Sequence, residues 1–176
     1  MKKTTYIAIA VVMFLSSAFA LVNSVNWKVK EKDYAIKFST SKAEGIIKGL
    51  KGTINFDKDN LAQSNFDVTV DVNTLNTGNG LKNRHAKGDK FLYASKYPVI
   101  RLKTSQIITS SGGFIAKGKL TIKEVSRDVS IPFTFRTAGN DGTFTGNFEI
   151  NRKDYGLEYK GVGEIIKIEL LIPVNK

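Results

Sequence analysis

The chain has 176 residues, with 27 Lys and Arg against 16 Asp and Glu, a formal net charge of +11, one histidine and no cysteine. Without cysteine there is no disulfide, thiolate metal cluster or lipid-modified cysteine, and a lone histidine leaves a metal site resting mainly on carboxylates, an unusual donor set. No metal and no cofactor is expected, and the length suits one domain with a full-sized core.

The first elements in chain order concern export. Lys2 and Lys3 form a positive start, Tyr6 to Leu15 an apolar run, and Ser16-Ser17-Ala18-Phe19-Ala20 a small-residue cleavage site. That is the pattern of a secretory signal peptide cut after Ala20. The apolar run is short of the roughly 20 residues that a spanning helix needs. Residues 1–20 are therefore expected to be removed, leaving residues 21–176 as a single soluble domain in the periplasm or outside the cell. Export also argues against nucleic acid as the reason for the positive charge.

Beyond the signal, the dominant pattern is alternation of apolar and polar residues with period two, the mark of half-buried strands. Tyr34, Ile36 and Phe38 share one face, as do Leu50, Ile54 and Phe56, and then Phe66, Val68, Val70 and Val72. Residues 98–108 and 113–124 read as two further strands, with Phe114, Ala116, Gly118, Leu120 and Ile122 on one face of the second. Val129, Ile131, Phe133 and Phe135 follow, then Phe144, Phe148 and Ile150, and finally Ile166, Ile168, Leu170 and Ile172. Ser110-Ser111-Gly112-Gly113 and Gly139-Asn140-Asp141-Gly142 are hairpin connectors between them. About eight strands with short links predict an all-β antiparallel fold, either a sandwich or an up-and-down barrel. One segment departs from the pattern: Leu81, His85, Gly88 and Leu92 fall at helical spacing, which predicts a helix over 79–94 capping one end.

Eight strands enclose a volume that is either just filled or holds one small ligand. Phe38, Phe56, Phe66, Phe114, Phe133, Phe135, Phe144 and Phe148 point inward by parity and would fill it. Gly52, Ala116, Gly118 and Gly146 share these faces and would leave room. Parity leaves cavity and filled core open.

Motifs for catalysis and ion binding fail. Asp57-Lys58-Asp59-Asn60 starts like a calcium loop, but Leu61 and Ala62 take the next ligand and glycine positions. Gly113 to Lys119 has the spacing of a phosphate loop, yet Leu120 stands where the hydroxyl residue belongs. His85 has no evident nucleophile or orienting acid, so no catalytic residue is assigned and the chain reads as a non-enzyme. A lipid hydrolase or isomerase using His85 or a tyrosine as acid–base is the remaining enzymatic reading. Charge is more informative. Lys82, Arg84, Lys87, Lys90, Lys96, Arg101 and Lys103 face only Asp89 in their stretch, forming either a solvated face or a docking surface for an anionic headgroup or an anionic membrane. Arg152 continues the inward parity of Phe144, Phe148 and Ile150; a buried guanidinium needs a partner, and Asp154, Glu158 or a ligand's polar head are candidates.

The order of motifs resembles the YceI-like proteins, the polyisoprenoid-binding, lipocalin-like family, over about Asn26 to Val174. Lys82-Asn83-Arg84-His85-Ala86 corresponds to the family's Arg-Asp-x-His-Leu, Asp89-Lys90-Phe91-Leu92 to its acid-x-Phe-Phe, and Lys96-Tyr97-Pro98 to its Lys-Tyr-Pro. Gly118-Lys119-Leu120-Thr121-Ile122-Lys123, followed by Val125 and Arg127, matches the Gly-x-Leu-Thr-Ile strand. Ile150-Asn151-Arg152-Lys153-Asp154-Tyr155-Gly156-Leu157 matches the Asn-Arg-x-Asp-Phe/Tyr-Gly-hydrophobic segment. Lys82, Asn83, Ala86 and Glu124 depart from the usual Arg, Asp, Leu and Gly.

The resemblance implies an extended eight-stranded antiparallel lipocalin-like barrel outside the cytoplasm, enclosing a long-chain isoprenoid, quinone or related lipid for transport, storage or scavenging. The eight phenylalanines are then the expected cavity lining, and Lys82, His85 and Arg152 the expected mouth. Burying about ten methylenes at roughly 0.8 kcal/mol each suffices for about micromolar affinity before ordering costs, with no catalytic group. A stress-response or interaction module with a filled barrel is the alternative, and a homodimer is left open.

Overall fold

The computed structural model describes residues 25–159 and 163–176, so the export signal expected at 1–20 lies outside the described residues. The strands are β1 (Lys28–Val29), β2 (Ala35–Ser39), β3 (Glu44–Asn55), β4 (Asn65–Asn76), β5 (Val99–Ser110), β6 (Gly113–Ile122), β7 (Val125–Ala138), β8 (Asp141–Asn151) and β9 (Ile165–Asn175). A helix, α1 (Gly80–Lys87), lies between β4 and β5, and a 3-10 turn (Arg152–Tyr155) follows β8.

Each strand from β2 to β9 pairs antiparallel with the next, and β9 pairs with both β8 and β2, so the sheet closes into an eight-stranded barrel. The two-residue β1 pairs with the end of β9, Lys28 opposite Asn175 and Val29 opposite Val174, and so lengthens the position held by β2. Closure leaves no free edge along the barrel. It also sends alternate side chains inward, which is what the period-two pattern requires.

The buried side chains form two clusters. One holds Trp27, Phe56, Phe133, Phe144 and Val174, with Phe66, Phe114 and Phe135 packed against it. The other holds Leu75, Leu92, Ile122, Ile150, Tyr155 and Leu157, at the end of the barrel where α1 sits.

The helix is shorter than its periodicity predicts. Asn79 caps its start, its side chain accepting from Leu81 N and Lys82 N. Gly88 ends it in an extended conformation, its N–H donating to His85 O at 3.2 Å. Glycine is a poor helix-interior residue, and here it releases the chain into successive turns. Leu92 N donates to Ala86 O, Tyr93 N to Gly88 O, Ala94 N to Lys87 O and Tyr97 N to Tyr93 O. Spacing alone could not separate one long helix from a short helix with a turn ladder, because both bring Leu92 inward.

Two glycines expected to leave room for a ligand do something else. A Cβ at Gly52, which has φ +122°, would strike Asp67 O, and one at Gly118 would strike Lys103 O. They permit close strand approach where the ladders slip, in β3–β4 between Lys48 and Lys51 and in β5–β6 between Thr104 and Gln106.

Candidate functional site

The barrel interior differs along its axis. At one end the rings pack on one another. Phe56, 1% exposed, meets Phe66, Phe114, Phe133, Phe135 and Phe144 at centroid distances of 5.0–6.2 Å. Phe135 stacks on Phe144 at 4.3 Å and takes the edge of Trp27 at 5.0 Å. The indole N–H of Trp27 donates to Phe56 O at 2.8 Å, so the one polar atom of that ring is satisfied. This end is filled.

Above it the barrel is hollow. An inner cavity of about 170 Å³ rests on Phe66, Phe133 and Phe144 and is walled mainly by aliphatic residues such as Ala116, with Thr69, Thr145 and Gly146. An outer cavity of about 530 Å³ runs from there to the α1 end, lined by Phe38, Leu75, Phe91, Leu92, Ile122, Ile150, Ile166 and Ile168 among others. Ile36, Val70 and Ile100 line both. The larger volume lies in the range of small-molecule sites.

The polar lining of the outer cavity comes from its mouth alone: Thr40 and Lys42 on the β2–β3 turn, Thr77 before α1, Lys82 and His85 on α1, and Tyr159 after the 3-10 turn. These segments are tied across the opening. Lys82 Nζ donates to Lys42 O at 3.0 Å, joining α1 to the β2–β3 turn. The Tyr159 hydroxyl lies 3.3 Å from His85 Nδ1. Phe91 turns its edge to Tyr159 at 6.3 Å. Asn83 anchors the helix from beneath, its side-chain oxygen accepting from Thr77 N at 2.7 Å and Thr77 Oγ1 at 2.8 Å.

Arg152 is 5% exposed and lines neither cavity. Its guanidinium donates to main-chain carbonyls, those of Leu157, Tyr159 and Gly163. Through these carbonyls it holds the loop that carries Tyr159. Its neighbours in the motif are architectural too. The Asn151 side chain accepts from Lys153 N, Gly156 ends the turn with φ +65°, and Tyr155 and Leu157 are buried. Burial, and secondarily Asp154, pushes the Tyr155 hydroxyl pKa up, so it stays protonated at neutral pH.

Of the residues expected to line a cavity, Phe38, Phe66, Phe133 and Phe144 do so, while Phe56, Phe114 and Phe135 pack beneath the floor. Phe148 packs against both clusters and lines neither cavity. Of the expected mouth residues, Lys82 and His85 line the outer cavity. Aromatic residues drew the sequence argument, but most of the lining is aliphatic. Ile166, Ile168, Leu170 and Ile172 were visible as one face and are part of the wall. Tyr159 and Lys42 lie in stretches without periodicity and had no signal. Among the described residues no group of three or more His, Asp or Glu could hold a metal ion, and no helix is long and apolar enough to cross a membrane.

The profile of the YceI-like domain matches residues 24–174. A UPF0312 protein of Vibrio cholerae is 27% identical over 154 residues, spanning 84% of this chain and 78% of the relative. In structure, BcnA of Burkholderia cenocepacia superposes with a TM-score of 0.77 at 24% identity, over 83% of this chain and 99% of that one. A polyisoprenoid-binding domain from Saccharophagus degradans, implicated in plant cell wall breakdown, superposes with a TM-score of 0.66 at 13% identity, over 87% of this chain and 99% of that one. At such identities the structural matches speak to the fold.

Proposed function

The chain belongs to the YceI-like domain family, and on that premise we propose that it is a non-enzymatic carrier of a long apolar molecule such as an isoprenoid, a quinone or a fatty acid. The tail lies in the hollow part of the barrel and the polar head rests among Lys82, His85 and Tyr159. One observation carries this reading: a cavity of about 530 Å³ with apolar walls, whose polar residues gather at one end. A lipid has the same distribution, an apolar length with a polar terminus. Such tails are nearly insoluble, and each buried methylene contributes roughly 0.8 kcal/mol.

The carrier acts after export, as one domain from about residue 21, in the periplasm or outside the cell. The exposed basic side chains of Lys82, Arg84 and Lys90 on the mouth side suit brief contact with an anionic membrane during loading. That the named Saccharophagus degradans domain binds polyisoprenoid supports the ligand class. The non-enzymatic reading is supported by the His85 contact, whose partner among the described residues is a tyrosine and not a carboxylate.

Titration with a fluorescent long-chain fatty acid tests the reading. Saturable one-to-one binding near micromolar affinity, displaced by unlabelled prenols, is expected. Absence of saturable binding at about 100 µM, some two orders weaker, overturns it.

A further inference from the structure

Ile36, Val70 and Ile100 are the only residues that line both cavities, among the described residues. They form a neck between the outer chamber of about 530 Å³ and the inner one of about 170 Å³. Below the inner chamber, Phe66, Phe133 and Phe144 are backed by the ring of Phe56, so the tunnel ends there.

The length of the hollow part can be read from the strands. On β9, Ile166 and Ile168 face the outer chamber and Leu170 and Ile172 the inner one. On β8 the same interval runs from Ile150 to Phe144. Six residue steps span about 20 Å along a strand. Barrel strands tilt by roughly 35–45°, which leaves about 15 Å along the axis. An extended carbon chain advances about 1.25 Å per bond, the projection of a bond of about 1.5 Å at a tetrahedral angle.

We infer that the neck and the phenylalanine floor set the length of the chain this barrel accepts, at about 12 to 16 backbone carbons. That is three to four isoprene units, or a fatty acyl chain of similar length. This rests on the carrier reading above and adds to it a size class. The neck divides the selection into two steps. A short chain ends in the outer chamber, above the neck. A chain of the full length passes between the Ile36, Val70 and Ile100 side chains to reach the floor, and carbons beyond that remain at the mouth, in water.

The experiment is a binding series of saturated fatty acids and prenols of increasing length. The parent protein and Val70→Phe, whose ring closes the neck, are measured side by side. Ile100→Phe makes the same closure from the adjacent strand if Val70→Phe loses its cooperative unfolding transition. In the parent, affinity should rise about fourfold per methylene and level off between about 12 and 16 backbone carbons. In the variant the plateau should arrive at roughly half that length, because the inner wall at Leu170 and Ile172 is cut off. Affinity that keeps climbing beyond 20 backbone carbons in the parent overturns the length limit while leaving the carrier reading intact. An unchanged plateau in a folded neck variant overturns the neck. No binding at any length contradicts the carrier reading itself.

Discussion

The two ends of the barrel are built from the same alternating strands and have opposite interiors. At the filled end, one residue, Phe56, packs against five other rings. At the mouth end the inward positions are mostly isoleucine, leucine and valine, joined by Phe38 and Phe91, and a chamber of about 530 Å³ lies between them. Planar rings reach the axis of a narrow barrel and meet there, whereas branched aliphatic side chains stop short of it. The ring cluster therefore marks the filled end, and the mostly aliphatic stretch marks where the barrel has room. A filled core and a cavity, alternatives from parity alone, are both present, one above the other.

The sharpest way to break that division is at its densest point. Phe56→Ala should cost about 3–5 kcal/mol, since the rings around it cannot collapse into the gap. Urea unfolding would measure it, and a loss below about 1 kcal/mol would mean the filled end is not the anchor. Arg152→Met comes next. It leaves the carbonyls of Leu157, Tyr159 and Gly163 without a buried donor, at about 3 kcal/mol in all. Hydrogen exchange should quicken in the segment after the 3-10 turn more than in the strands, and uniform quickening would contradict its role as the holder of the mouth loop.

Ile168→Ala probes the hollow end. Ile168 is half-buried and already borders empty space, so the loss of stability should be only about 1–2 kcal/mol. Lipid affinity should fall by about three- to tenfold, as part of the wall is lost. A stability cost equal to that of Phe56→Ala would erase the distinction between the ends.

Acid should have the smallest effect. The Tyr97 hydroxyl donates to Glu124, and Lys96 stands 3.5 Å away; together they hold the Glu124 carboxyl below the usual range. The Arg101 guanidinium does the same for Asp67. A depressed carboxylate contributes stability that is present above its unfolded pKa, about 4, and lost as pH falls through the lower folded value. Glu124 is exposed and Asp67 half-buried with its side chain 33% exposed, so the effect is screened and the melting temperature should be flat from about pH 7 to pH 5 and decline only below about pH 4. A decline that began near pH 6 would contradict the assignment of acid sensitivity to these two carboxylates.

Much of the fold was legible in the sequence because parity is a direct consequence of the pleat. The inward faces of β4, β7, β8 and β9 follow from it, and the closed eight-stranded barrel with its helix at one end is the architecture that the resemblance implied. The end of α1 was not legible, because Gly88 stops the helix while the following turns keep Leu92 on the same side. The site was legible only in part. Alternation tells which residues point inward and is silent about how far they reach, so Phe56 and Ile168 look equivalent in sequence and differ in what they do. Arg152 read correctly as buried, but its partners include backbone carbonyls that no side-chain pattern announces.

The measurement that reaches the central claim most directly is mass spectrometry of an organic extract of the protein, purified without detergent. A single apolar molecule with a polar end group, present at about one per chain, is the predicted result. A clean extract from folded protein, together with no uptake when lipids are added back, would contradict the account.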